Sequence, residues 1–175
     1  MHGDTSYGRI VNDGFKDLIN REEIKLDVIC GSFLSGIPFG KSLADYLEKP
    51  FSYARGNDDP NITYHSIEGF RKFYGNKFVV VDDFVRMADD TFKAVEAIRS
   101  QGGICNYVVS IFDLQFEGTK EKFRELLPPV EIKSLLNFDK FVELGLEKRY
   151  FDQRRVDSLY NWRNNLERNL KLKIR

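Results

Sequence analysis

The sequence predicts an α/β fold: a central, mostly parallel sheet flanked by helices, with further helices at the C-terminus. Three observations carry this. Short apolar runs over 26–31, 77–82 and 104–112 end at a glycine, an aspartate or a phenylalanine. Stretches whose apolar residues recur every three or four positions lie between them. A strand buried on both faces reads as a continuous apolar run, and a parallel partner needs a helical crossover of about this length. With 175 residues, 42% of them apolar, the chain is long enough for one core. It is read as a single domain over 1–175, with a short segment 1–9 ahead of the first helix.

The elements follow in order. Ile10, Phe15, Leu18 and Ile19 space a helix over 10–21. Leu26 to Gly31 is a short buried strand and Ser32 to Pro38 a turn. Phe39 to Glu48 forms a helix with Leu43 and Leu47 on one face, stopped by Pro50. Phe51 to Ala54 is a strand, and the polar Gly56 to Ser66 a loop. Lys77 to Asp82 is the clearest strand, followed by a helix through Phe92, Val95 and Ile98 that stops at Gly102-Gly103. Ile104 to Phe112 is a strand, Pro128-Pro129 a break and Val130 to Leu136 another strand. Phe138, Phe141, Val142 and Leu144 mark a helix, and Asp152 caps the last one, whose apolar face is Val156, Leu159, Tyr160, Leu166 and Leu170.

Composition narrows the function. Lysine plus arginine balances aspartate plus glutamate at 27 each, so no global charge points to nucleic acid or an anionic membrane. No segment is apolar enough to span a bilayer and no leader is visible, so the expectation is a soluble, cytoplasmic protein. Cys30 and Cys105 sit in or beside apolar runs and are expected as buried thiols. His2 and His65 are the only histidines, which excludes a multi-histidine metal site. A Ser-His-Asp or Cys-His centre would need His65, and no Gly-x-Ser-x-Gly accompanies it.

Parallel sheets bind ligands beyond the C-terminal ends of their strands. Two such ends carry distinctive chemistry. One is Gly31, Ser32, Ser35 and Gly36, with Lys41 just beyond. The other runs from Asp82 and Asp83 through Arg86, Ala88, Asp89 and Asp90 to Thr91. These turns, in this order and spacing, resemble those of type I phosphoribosyltransferases. Several further stretches narrow the resemblance to orotate phosphoribosyltransferases: Phe51-Ser-Tyr-Ala-Arg55, Ile67-Glu68-Gly69, Gly75 to Asp83, Ala94 to Arg99, Glu131 to Leu136, Phe138 and Trp162. The match covers roughly 27–168. It implies the type I phosphoribosyltransferase-like fold and a pyrophosphate-type loop at Gly31, Ser32, Ser35 and Gly36. It also implies a ribose-binding acidic pair at Asp82 and Asp83 with magnesium beside it, and a mobile loop bounded by Arg55 and His65. The base end falls at Asp113 and Leu114. The partners implied are a sugar phosphate or nucleotide-like ligand and a second copy of the chain, with no nucleic acid and no membrane.

The departures fall on ligand-contacting places. Where the family signature for phosphoribosyl pyrophosphate (PRPP) has Thr-Thr-Gly-Gly-Ser, this chain has Arg86, Met87, Ala88, Asp89 and Asp90. The loop 56–66 has no lysine to serve as the catalytic one, and Leu114 stands where the family has an arginine that reads orotate. The segment ahead of the first helix is also short. Phosphate at a strand–turn–helix junction is held by free N–H groups, small hydroxyls and the positive helix end. Asp90 is expected as the helix N-cap, taking those N–H groups for itself. A carboxylate facing the phosphate would cost about 4 kcal/mol at intermediate dielectric, roughly a thousandfold in affinity. Arg86 would offset part of this by pairing with a phosphate oxygen or with Asp89, and Lys41 is either a solvated helix residue or an anion ligand.

Three functions stay open. Set against the resemblance, the departures point to a family member that does not catalyse the reaction well and serves as a ligand-binding or regulatory module of pyrimidine nucleotide metabolism. The first alternative is an active orotate phosphoribosyltransferase with atypical phosphate ligands. The second is a divalent-cation or partner-binding module built on Asp82, Asp83, Asp89 and Asp90. Trp162, Tyr160 and the phenylalanines are expected in the core or at a dimer face.

Overall fold

The computed structural model describes residues 5–56 and 66–173. Its elements are α1 (Thr5–Arg21), β1 (Val28–Gly31), α2 (Gly36–Tyr46), β2 (Phe51–Arg55), β3 (Ser66–Gly69), β4 (Lys77–Val85), α3 (Asp89–Ser100), β5 (Ile104–Asp113), α4 (Glu117–Arg124), β6 (Glu131–Asn137), α5 (Phe138–Glu147) and α6 (Gln153–Lys173). Six strands form one sheet in the order β3-β2-β1-β4-β5-β6. All neighbours are parallel except β2 and β3. The strand order reverses at β1, whose two neighbours are β2 and β4, so a crevice opens beyond the C-terminal ends of β1 and β4.

Strand alternation divides the core. Phe78 and Val80 pack with Ala94, Val95, Ile98 and Phe123 on the α3–α4 face. Val79 and Val81 pack with Phe15, Leu18, Ile29 and Leu43 on the α1–α2 face. A third cluster of Leu114, Phe116, Phe138, Val142 and Val156 ties α5 and α6 to the end of β5. Cys30 and Cys105 are buried free thiols, each pushed up to about 12 by burial. Among the described residues no helix is long and apolar enough to cross a membrane.

Several boundaries differ from the sequence-based expectation. Helix α2 begins at Gly36, not Phe39, because Pro38 falls in its first turn, where a missing N–H costs nothing. Strand β4 continues through both aspartates to Val85, because it keeps pairing with β5 as far as Val85 opposite Asp113. Asp82 is a strand residue as expected, and Asp83, Phe84 and Val85 are strand rather than turn residues. Strand β3 begins at Ser66, inside the expected loop, and pairs antiparallel with β2. Residues 57–65 of that loop lie outside the described residues. Helix α4 is an element the sequence reading left out. Asp152 caps α6 as expected, accepting from the Arg155 N–H at 2.8 Å.

The turn after β1 packs tightly on β4. Ser32 N–H donates to Val81 O at 2.9 Å, and a Cβ placed on Gly36 would fall 2.3 Å from that same carbonyl and 2.1 Å from Ser32 Oγ. Gly36→Ala is therefore expected to destabilise the protein by about 1–3 kcal/mol through overpacking. Gly8→Ala, in α1 with nothing within 4 Å of the new Cβ, is expected to stabilise it by roughly 0.5–1 kcal/mol. Urea unfolding of the two variants against the parent reads both signs.

Candidate functional site

The crevice at the strand reversal holds a cavity of about 450 Å³ lined by Ser35, Asp82, Asp83, Arg86, the α3 start and Thr91. Asp82 points inward and is 6% exposed, whereas Asp83 is half-buried. One Asp82 oxygen accepts from Thr91 Oγ1. The other accepts from the Asp83 N–H at 2.9 Å and lies 3.5 Å from the donating Ser35 Oγ. Burial pushes the Asp82 carboxyl above the ordinary range, and the hydroxyls of Thr91 and Ser32 pull the other way. Ser32 is itself buried, and its Oγ makes no hydrogen bond among the described residues. Both members of the acidic pair line the cavity, and Asp83 is the more exposed.

The start of α3 is acidic. The helix begins at Asp89, and its N-cap is Ala88, held left-handed at φ 52° and ψ 35° with no side-chain capping bond. Asp90 is thus not the N-cap that the sequence suggested; it is the second residue of the first turn. The cap position is Ala88, whose left-handed backbone turns the chain from β4 into α3 within three residues of Val85. Of the two roles open to Arg86, pairing with Asp89 is not made. Asp89 instead meets Lys122 of α4 at 2.6 Å. Lys122 also lies 4.3 Å from the centre of the Phe92 ring. Arg86 is exposed at the cavity, and its carbonyl accepts from Thr119 Oγ1 at 2.6 Å. Lys122 and Thr119 were invisible to sequence reasoning because the eight-residue α4 is too short and too charged to show periodicity.

The remaining candidates are dispersed. Lys41 is exposed and bonds Asp45 one turn on, at 2.5 and 2.6 Å, rather than facing the crevice. Arg55 ends β2 and pairs with Glu68 at 3.0 Å, which Tyr53 also contacts at 2.7 Å. His65 lies outside the described residues. Asp113 and Leu114, neighbours in sequence, face different cavities. Asp113 is 8% exposed, accepts from the Gln115 N–H at 2.7 Å and lines a polar cavity of about 470 Å³ with Lys120 and Lys133. Leu114 is buried and lines an apolar cavity of about 530 Å³ with Phe84, Phe112, Phe138, Phe141 and Trp162. Among the described residues no three of His, Cys, Asp or Glu converge as a metal cluster, so the acidic turn alone makes no metal cage.

A scan against protein-family models finds no match. Individual proteins do match. The chain is 31% identical over 157 residues to the orotate phosphoribosyltransferase of Lactococcus lactis subsp. cremoris, covering 90% of this chain and 74% of that protein. It is 32% identical over 165 residues to the orotate phosphoribosyltransferase of Fusobacterium nucleatum, covering 92% and 76%. The chain belongs to the orotate phosphoribosyltransferase family. The fold agrees: the crystal structure of orotate phosphoribosyltransferase from Aeropyrum pernix superposes with a TM-score of 0.68 at 24% identity, covering 82% of this chain and 79% of that one. The six-stranded, mostly parallel sheet flanked by helices is the architecture of this orotate phosphoribosyltransferase family member.

Two predictions follow from the geometry. A left-handed backbone costs an L-residue about 1–2 kcal/mol. Ala88→Gly is therefore expected to raise stability by up to about 1 kcal/mol, measured as a shift in the urea midpoint. Burial raises the folded-state carboxyl of Asp113 above its ordinary 3.8, so the folded chain holds that proton more tightly than the unfolded one. The resulting cost is fully present above the folded value and disappears as pH falls through it to 3.8. Asp113→Asn, whose amide oxygen still accepts from Gln115, is expected to be at least as stable as the parent at neutral pH. That advantage should shrink on acidification, as thermal melts across pH would show.

Proposed function

We propose that this family member binds a ligand of pyrimidine nucleotide metabolism in the crevice beyond β1 and β4 and transfers phosphoribose poorly, serving as a ligand-binding or regulatory module. The observation that carries this is the acidic first turn of α3. A phosphate seated there would face Asp89 and Asp90 where free N–H groups and small hydroxyls would hold it. The loss matters for catalysis because phosphoribosyl transfer depends on stabilising a departing pyrophosphate. Magnesium fits as a companion of a ligand's phosphate oxygens, with Asp83 as the protein carboxylate nearest to hand, rather than as an ion in a protein cage.

A second reading is an active orotate phosphoribosyltransferase that forms orotidine 5'-monophosphate from orotate and PRPP. Similarity to enzymes of that name along nine-tenths of the chain supports it at least as strongly as the acidic turn supports the first. Lys122 adds to it, since its pairing neutralises Asp89 and leaves Arg86 exposed at the cavity for a phosphate.

Calorimetric titration of PRPP with magnesium, followed by an orotidylate assay, separates the two. The first reading expects weak PRPP binding and negligible product. It also expects a gain of about tenfold or more in PRPP affinity for the combined variant Arg86→Thr, Ala88→Gly and Asp90→Ser. Tight binding and product formation by the parent chain would establish the second.

A further inference from the structure

The opposite end of the sheet carries a cavity of different chemistry. It lies at the N-terminal ends of β1 and β4, where Asp27 precedes the first strand and Lys77 opens the second. Its volume is about 450 Å³, the size of a small-molecule site. Aliphatic side chains form its floor: Ile19 of α1, Ile24 and Leu26 between α1 and β1, and Leu47 just after α2. Ile19 and Ile24 are buried, and Leu26 and Leu47 half-buried. Four lysines from four separate segments line the same cavity: Lys16 on α1, Lys25 before β1, Lys49 before β2 and Lys77 at the start of β4. All four are exposed.

This is a local excess of positive charge in a chain whose net charge is zero. One carboxylate lines the cavity, that of Asp27, and its Oδ2 accepts from the Lys77 N–H at 2.9 Å. Among the described residues none of the four lysines makes an ion pair, whereas Lys41, Lys122, Lys133 and Lys140 each do. Glu23 and Glu48 stand at the neighbouring turns, exposed, and do not line the cavity. Lysines beside a helix C-terminus often serve its last carbonyls. Here backbone bonds close both helix ends: the Ile24 N–H donates to Ile19 O and the Lys49 N–H to Ala44 O, each at 2.9 Å. Lys16 has one neighbour, the Tyr46 ring at 5.8 Å, near the outer limit of a cation–π contact. Unpaired cations gathered around a concave floor reinforce one another's field. They fit a ligand with several negative charges and an apolar face. An ammonium is a compact point charge suited to phosphate oxygens, while a lone planar carboxylate favours the fork of a guanidinium.

We propose that this cavity binds a nucleoside triphosphate, with Lys16, Lys25, Lys49 and Lys77 holding the phosphates and the base laid on the aliphatic floor. Asn20, which also lines the cavity and whose side-chain amide makes no hydrogen bond among the described residues, offers donors and an acceptor to the base edge. The site stands apart from both readings of the crevice, since no residue lines both cavities.

The purified full chain is titrated calorimetrically with ATP and with UTP at low ionic strength, without magnesium or PRPP. Parallel titrations use inorganic triphosphate and adenosine. Saturable one-site binding of a nucleotide is expected, with inorganic triphosphate and adenosine each about tenfold or more weaker. Lys25→Gln and Lys49→Gln, both at exposed positions, are expected to melt as the parent does and to weaken nucleotide binding about two- to tenfold each. The double variant should lose about tenfold or more. Lys148→Gln removes the same charge at the end of α5 and should bind as the parent does. Absence of saturable binding by either nucleotide would overturn the proposal. So would inorganic triphosphate binding as tightly as ATP, which would leave the aliphatic floor without a role. Parent-like affinity in the double variant would place the nucleotide elsewhere, the crevice included, and would equally overturn it. Because the two lysines are replaced separately as well as together, a folding defect in one variant leaves the other to decide.

Discussion

The buried carboxylate of Asp82 organises the site. It ends the apolar part of β4, one of the strands with parallel partners on both edges, and it is held from three directions: by Thr91 of α3, by the Asp83 N–H and, more distantly, by Ser35 of the β1–α2 turn. Those bonds join the two turns that bound the crevice. A carboxylate this buried is costly unless its oxygens are occupied, so the geometry of both turns is tied to keeping them so. The same bonds occupy both Asp82 oxygens, while its neighbour Asp83 is half-buried at the cavity.

Around that junction the strand order, the tight approach of Gly36 to the Val81 carbonyl and the left-handed turn at 88 shape the crevice. The turn keeps a backbone shape that suits glycine although alanine occupies it. The side chains that would meet a phosphate are carboxylates, one of them neutralised by Lys122. Fold and family membership are consistent with either a weakened or a working transferase, because activity resides in a few groups grafted on a common frame.

Much of this was legible without coordinates. The runs at 77–82 and 104–112, the Gly102-Gly103 stop and the Asp152 cap are local signals, and local signals are what periodicity and turn chemistry record. What failed was mostly short or polar. Strand β3 buries only one apolar side chain, Ile67, and owes its form to pairing with β2. Helix α4 has eight residues and a single buried aromatic, Phe123. Strand β4 outran its apolar run because hydrogen bonding to β5 is indifferent to the charge on Asp82 and Asp83.

The sequence by itself determined the fold class, the family resemblance and the two turns at which ligands would meet the chain, since each depends on residues close together along the backbone. Only the tertiary structure decided how those residues are shared out. Lys122 reaches Asp89 from 33 residues away, Asp113 and Leu114 look into separate cavities, and Arg155 arrives beside the rings of β4, β5 and α5 from the last helix. Contacts of that separation follow from how helices pack on the sheet, a property of the assembled core that no local pattern encodes.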